Sequence, residues 1–165
     1  MEARTSTLAG RHAAEKAVGM AMPLIEEAMK HKEVGESGFL YIVVMDPLRK
    51  PGTCSFEEAI LYEHAVGDRS KWDADYAGFA RAKARVAWRT GLDSHVVQEL
   101  YPHLLAPGDT VLWGTAIVDG IVVGVSGANA WYDEAFAGTV AMCMRAIARA
   151  GVVAARKEGL FLPKE

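Results

Sequence analysis

Cysteine is scarce in this chain: Cys54 and Cys143 are the only two among 165 residues. They fall in no metal-ligand spacing and form no disulfide framework, so a disulfide-stapled scaffold and a cysteine-held metal centre are not expected. No CxxCH occurs, which excludes covalent c-type haem attachment. There is no Gly-x-Ser-x-Gly elbow, phosphate-binding P-loop, HExxH or Rossmann fingerprint. The opening MEARTSTLAGRHAAEKAV lacks the apolar stretch of a signal peptide. No run approaches the ~18 uninterrupted apolar residues of a membrane span. These absences lead us to expect a reduced, cytoplasmic protein with no metal and no membrane partner. Charge of either sign is not in excess; at a net −3 there is no global argument for a nucleic-acid partner. No internal repeat, low-complexity segment or second domain is visible.

What remains is an ordinary globular composition, 51% hydrophobic and 24% charged. The length suits one domain over residues 1–165, with residues 1–10 and 159–165 as frayed ends. The most definite stretch is Thr110–Glu134. Val111–Val118 and Ile121–Val125 are apolar runs flanking Asp119-Gly120. Asp-Gly between such runs predicts a two-residue hairpin, because a type I′ turn needs φ > 0 at both central residues. The register then sets Val118 against Ile121, Ile117 against Val122 and Thr115 against Gly124. Asp133-Glu134 open a long apolar helix over Tyr132–Lys157, where acidic residues complement the helix dipole.

Elsewhere the spacing of Ala13, Ala17, Met20, Leu24 and Ala28 predicts a helix over His12–Lys32, with a kink or restart at Pro23. Phe39–Met45 is a continuous β-prone run and reads as a buried central strand. Phe56–Val66 fits either a helix or a strand; we favour a strand paired with Phe39–Met45. Asp73 or Asp75 caps a helix running to Thr90, with Gly91 at its C-terminus and Phe79, Ala82 and Val86 as its apolar line. Asp93–Tyr101 is a short helix stopped by Pro102.

Around the hairpin the chain resembles the GlcG/HbpS-like family, which includes the C-terminal domain of PduO-type proteins. The residues that carry this are Val118-Asp119-Gly120, Val123-Gly124-Val125-Ser126-Gly127 and Asp133-Glu134-Ala135, with Arg81-Ala82-Lys83-Ala84-Arg85 upstream. The resemblance implies a profilin-like α/β (α+β) fold, a mostly antiparallel sheet packed with helices, assembled as a homo-oligomer. Some members bind haem, for which His12, His31, His64, His95 and His103 would be the candidate axial ligands. The chain departs from the pattern after Asp46, where Pro47-Leu48-Arg49-Lys50-Pro51-Gly52 replaces a glycine-rich turn. That segment helps form the family's proposed ligand site, so the fold carries over better than any ligand.

Four clusters could carry chemistry. Glu63-His64 with Asp68 could transfer protons, although Glu63 and His64 point to opposite faces of a strand; the competing reading is a solvated edge. Tyr101, His103 and Trp113 with nearby arginines suit a flat aromatic carboxylate; core packing explains the same residues. Arg81, Lys83, Arg85 and Arg89 are an anion site or a solvated helix face, with Arg85 the one placed near the hairpin by the family-like motif. Ser126-Gly127-Ala128-Asn129 could offer backbone N–H groups to a carboxylate, or could simply be a tight connection.

Two functions compete. One is a cofactor-independent lyase acting on a small aromatic acid such as a hydroxylaminobenzoate, with catalytic His64, Glu63 and His103 and substrate-binding Arg85, Tyr101, Trp113 and Ser126. Small lyases of nitroaromatic breakdown are similar in size and likewise lack cofactor motifs. The other is a non-catalytic protein that binds haem or another small molecule. In either case the last helix carries Phe136, Val140, Met144 and Ile147 on one face and Met142 on another, which predicts burial of the second face against another copy.

Overall fold

The computed structural model describes residues 4–163. Four antiparallel strands form one sheet in the order β2-β1-β4-β3: β1 Leu40–Met45, β2 Ile60–Val66, β3 Thr115–Val118 and β4 Ile121–Ser126. Helices cover both faces, which explains why neither central strand alternates with polar residues. On one face Leu40, Ile42 and Val44 of β1 meet Val123 and Val125 of β4 under α1 (Arg11–Ala28) and α5 (Ala130–Glu158). On the other, Tyr41, Val43 and Met45 pack with α3 (Tyr76–Thr90). α4 (Ser94–Leu100) follows α3. The architecture is α+β, as expected.

The Asp-Gly hairpin has the predicted register, Val118 opposite Ile121, Ile117 opposite Val122 and Thr115 opposite Gly124. Asp119 and Gly120 both have positive φ, 49° and 85°. Its first strand is shorter than Val111–Val118. Gly114, at φ 150°, turns the backbone out of the ladder, and Val111 and Leu112 are exposed.

Phe56–Val66 is both of the alternatives in succession. Ser55 and Glu58 form a capping box, with the Glu58 N–H donating to Ser55 Oγ (3.2 Å) and the Ser55 N–H to Glu58 Oε2 (2.8 Å). This opens one turn of helix, α2 (Phe56–Ala59), before β2 pairs with β1. The departure segment after Asp46 is a turn fixed by the Leu48 N–H donating to Asp46 Oδ1 (2.9 Å).

Three helix expectations need correction. α1 runs through Pro23 without restarting and ends at Ala28, not Lys32. Gly19 and Pro23 both lie on its exposed side, where water can meet the freed carbonyl. Its buried stripe is Ala13, Ala14, Ala17, Val18, Ala21 and Ile25, so Met20 and Leu24, each 53% exposed, face outward. In α3, capped by Asp75 and ended by Gly91 in the left-handed region, Val86 is buried as expected, but the buried face is otherwise Ala80, Ala84 and Ala87, with Phe79 half exposed. α5 begins at Ala130, two residues earlier than expected.

α5 is long and apolar enough to cross a membrane by length and composition alone. Phe136, Ala137, Val140, Ala141 and Met144 are buried in the core beneath it. Of the expected frayed ends, residues 1–3 and 164–165 lie outside the described residues. Ala9 is buried, and its N–H donates to Ser6 Oγ (3.0 Å), whereas Leu160 and Phe161 are exposed.

Two glycines have different reasons to be glycine. Gly120 has free space around it but positive φ, while a Cβ on Gly124 would meet Ala80 O and Ala84 Cβ at 2.8 Å. Gly120→Val should therefore cost about 1–3 kcal/mol through backbone strain, and Gly120→Asn much less. Gly124→Asn should cost more than either, since it pushes α3 off the sheet. Urea unfolding of the three variants checks that order; equal losses for Asn at both positions would contradict it.

Candidate functional site

α3 crosses β4 where Gly124 lets Ala80 and Ala84 come close. That crossing places Lys83 at the end of β4, against Ser126. The Lys83 ammonium donates to Asp133 Oδ2 (2.9 Å), Val125 O (3.1 Å) and Ser126 Oγ (3.3 Å). All three of its donors are thus satisfied, which a buried ammonium requires. Asp133, in the first turn of α5, is 1% exposed. Its Oδ1 accepts the Ala128 N–H (2.9 Å). Burial pushes the Asp133 carboxyl up to about 6 against the opposing pull of Lys83 and the Ala128 and Gly127 amides.

An open cleft of about 220 Å³ lies over this pair, between α3, the Leu112–Trp113 segment and the start of α5. Tyr76, Phe79 and Trp113 supply aromatic wall; Lys83, Ser126 and Asp133 supply the polar floor. The Tyr76 hydroxyl donates to Asp73 Oδ1 (2.6 Å), and burial, then that carboxylate, raises its pKa. Behind the wall, the rings of His95 and Trp113 lie 5.5 Å apart. His95 Nδ1 is bonded to Glu134 Oε2. Burial raises the Glu134 carboxyl against the pull of His95.

Of the seven site residues read from the sequence, the cleft gathers Trp113 and Ser126. The others sit elsewhere. His64 and Glu63 lie on β2, the edge strand opposite β3, and line no part of this cleft. Glu63 is held by both Nε and Nη2 of Arg81 (2.5 and 2.7 Å), and His64 Nδ1 pairs with the Tyr62 hydroxyl (3.3 Å). Asp68, grouped with them in sequence, instead caps Ser70 N–H (2.9 Å). His103 and Tyr101 are exposed after α4, their rings 6.0 Å apart. Arg85 points to the surface, where it pairs with Glu57 (3.0 Å).

The sequence reading missed the buried Lys83–Asp133 pair, because the four cations of this helix were taken together as either an anion site or a solvated face. The usable signal was position. Lys83 falls inside the stripe Ala80-Ala84-Ala87 while Arg81, Arg85 and Arg89 fall outside it. Of the two readings of Ser126–Asn129, a carboxylate site or a tight connection, the second is favoured, since the chain's own Asp133 takes the Ala128 N–H.

No protein-family model and no curated protein matches this chain by sequence. Solved structures do match. Klebsiella pneumoniae protein ORFY, described as DUF336, aligns over 88% of this chain and 94% of its own, with 17% identity and a TM-score of 0.53. HbpS of Streptomyces reticuli, in a doubly substituted form, aligns over 86% and 88%, with 21% identity and a TM-score of 0.53. A PduOC:haem complex aligns over 80% and 89%, with 14% identity and a TM-score of 0.48. The chain thus has the fold of the GlcG/HbpS-like proteins.

The raised Asp133 pKa fixes a sign. Its folded value lies above the ordinary 3.8, so its stabilising contribution is full below that value and is withdrawn as pH rises through about 6. The difference is about 3 kcal/mol. A carbon-13 NMR titration of the Asp133 carboxyl should give a midpoint near 6; a midpoint below 4 would contradict the assignment. Removing one partner, as in Lys83→Met, should cost about 3–5 kcal/mol in denaturant unfolding, with much of it recovered in Lys83→Met/Asp133→Leu.

Proposed function

We propose that the cleft binds a small aromatic acid and that the protein is a cofactor-independent lyase of the kind that consumes a hydroxylaminobenzoate. The observation that carries this reading is the combination in one cleft of three aromatic rings with a buried ammonium–carboxylate pair. A volume of about 220 Å³ suits one ring with short substituents. The aromatic walls can hold its faces. Its carboxylate can approach the Ser126 hydroxyl and the N–H of Ala130, both on residues that line the cleft; the Ala130 N–H opens α5 without an acceptor among the described residues.

The net reaction is hydroxylaminobenzoate plus water giving dihydroxybenzoate plus ammonia. In this scheme the N–O bond breaks as its oxygen takes a proton. Water adds to the ring, and a second water hydrolyses the resulting imine to release nitrogen as ammonia; one of the two waters replaces the one lost. Asp133 is the proton donor we assign, because a carboxyl near 6 can both give and regain a proton near neutrality. Lys83 stabilises the carboxylate left behind. His64, Glu63 and His103 stand outside this scheme.

Purified protein without added metal or cofactor should release ammonia from 4-hydroxylaminobenzoate, and Trp113→Ala should lower kcat/KM about a hundredfold while remaining folded. No turnover and no binding of any aromatic acid would remove this reading.

Haem is the second reading. It is supported by the hairpin residues shared with the GlcG/HbpS-like family and by His95 beside the cleft wall. A saturable, shifted Soret band on hemin titration, lost in His95→Ala, would favour it over the lyase.

We also infer a cytoplasmic homo-oligomer. Met20, Leu24, Met142 and Val153 leave apolar surface on the outer helices. A groove of about 360 Å³ beside Met142 and Ala146 continues it. Light scattering behind size exclusion should give a mass above the 17.8 kDa monomer, and Met142→Glu should lower it.

A further inference from the structure

The floor and the wall of the cleft are held in different ways. Lys83, Ser126 and Asp133 are buried and locked to one another and to the sheet. The wall segment Val111–Trp113 belongs to no strand or helix, and its Leu112 N–H donates only to Thr110 Oγ1 (3.0 Å). It joins β3 through Gly114, whose φ of 150° is one that side-chain-bearing residues rarely adopt. A Cβ there would meet Asp133 Cβ at 2.7 Å, so this glycine rests directly on the ion pair.

What holds the wall from behind is α4. Ser94 Oγ accepts the Gly114 N–H (3.2 Å) and fixes the base. Gln98 Nε2 donates to Leu112 O (2.8 Å). The His95 ring backs Trp113, and His95 is itself tied to Glu134 of α5. Leu112 and Trp113 are both cleft-lining residues. The His95–Glu134 bond therefore spans from the helix that carries Asp133 to the ring that faces it across the cleft.

We propose that His95 and Gln98 are positioning residues that hold the Leu112–Trp113 wall, and that this wall sets the ring width of the aromatic acid admitted. The proposal rests on the reading of the cleft as the ligand site. With the floor locked by buried hydrogen bonds, the width of the cleft is set at its walls, and the Leu112–Trp113 wall is a segment with no ladder bonds of its own. A single ring fits against Trp113 in the held position; a fused pair of rings fits only if the wall retreats.

The test uses the full chain labelled with 5-fluorotryptophan, with Trp113→Phe assigning the fluorine-19 resonance. The protein is titrated with 4-hydroxybenzoate and with 6-hydroxy-2-naphthoate. In the wild type the first acid should shift the Trp113 resonance saturably and the second should not. His95→Ala should move or broaden that resonance before any ligand is added. It should also weaken 4-hydroxybenzoate about tenfold, the scale of one lost aromatic contact, and bring the two acids within about threefold of each other. Gln98→Ala should do the same in weaker form. His95→Gln keeps a donor toward Glu134 but no ring, so it should recover the thermal stability lost in His95→Ala without recovering the Trp113 signal or the discrimination. The proposal is overturned if His95→Ala leaves both unchanged, or if His95→Gln restores both, since a plain helix–helix tie would do that. If neither acid shifts any resonance in the wild type, the ligand-site reading fails; the ligand-free Trp113 resonance of His95→Ala then still decides whether His95 holds the ring.

Discussion

A lysine and an aspartate can share a protein interior only if nearly every donor and acceptor they carry is used. Lys83 and Asp133 meet that condition through one side chain, Ser126, and through the backbone of Val125 and Ala128. These partners come from three separate parts of the chain: α3, the end of β4 and the first turn of α5. The pair therefore fixes how the two helices, one on each face of the sheet, meet at the end of one strand. It also leaves a charged floor under a cleft whose walls are aromatic.

The pair can form only because α3 comes unusually near the sheet. Gly124 has no side chain, and Ala80 and Ala84 sit directly over it. A larger residue at any of the three would lift α3 and draw the Lys83 amine away from Val125 O. The same economy of size recurs on the opposite face, where Ala14, Ala17 and Ala21 bring α1 against the core beneath α5. Small residues here set distances, and those distances place the charges.

Local signals were strong where one or two residues decide the backbone. Asp119-Gly120 fixed the turn and, through it, the register of β3 on β4. Of the two candidate caps, Asp73 and Asp75, the second opens α3, and Gly91 ends it. Periodicity served less well for the direction a helix faces, because Met20, Leu24 and Phe79 are apolar yet point outward while alanines point in. The cleft was half legible. Trp113 and Ser126 lie in it, but its charges do not announce themselves, since Lys83 sits among three other cations and Asp133 looks like an ordinary dipole partner. Pairings such as Lys83 with Asp133 and His95 with Glu134 link residues 50 and 39 positions apart. No local pattern carries that information.

The parts of the cleft differ in how far the fold determines them. Its floor belongs to β4, α3 and α5, the elements that build the three layers. Its wall comes from the irregular stretch after α4, held by three side chains of that short helix. Regular elements constrain each other through many bonds and tolerate little change. An irregular stretch can change in sequence and length at small cost to the core. If the cleft is the ligand site we propose, its floor is the part held by the scaffold and Leu112–Trp113 is the part free to differ. Likeness to proteins under 25% identical therefore establishes the fold and neither a site nor its ligand.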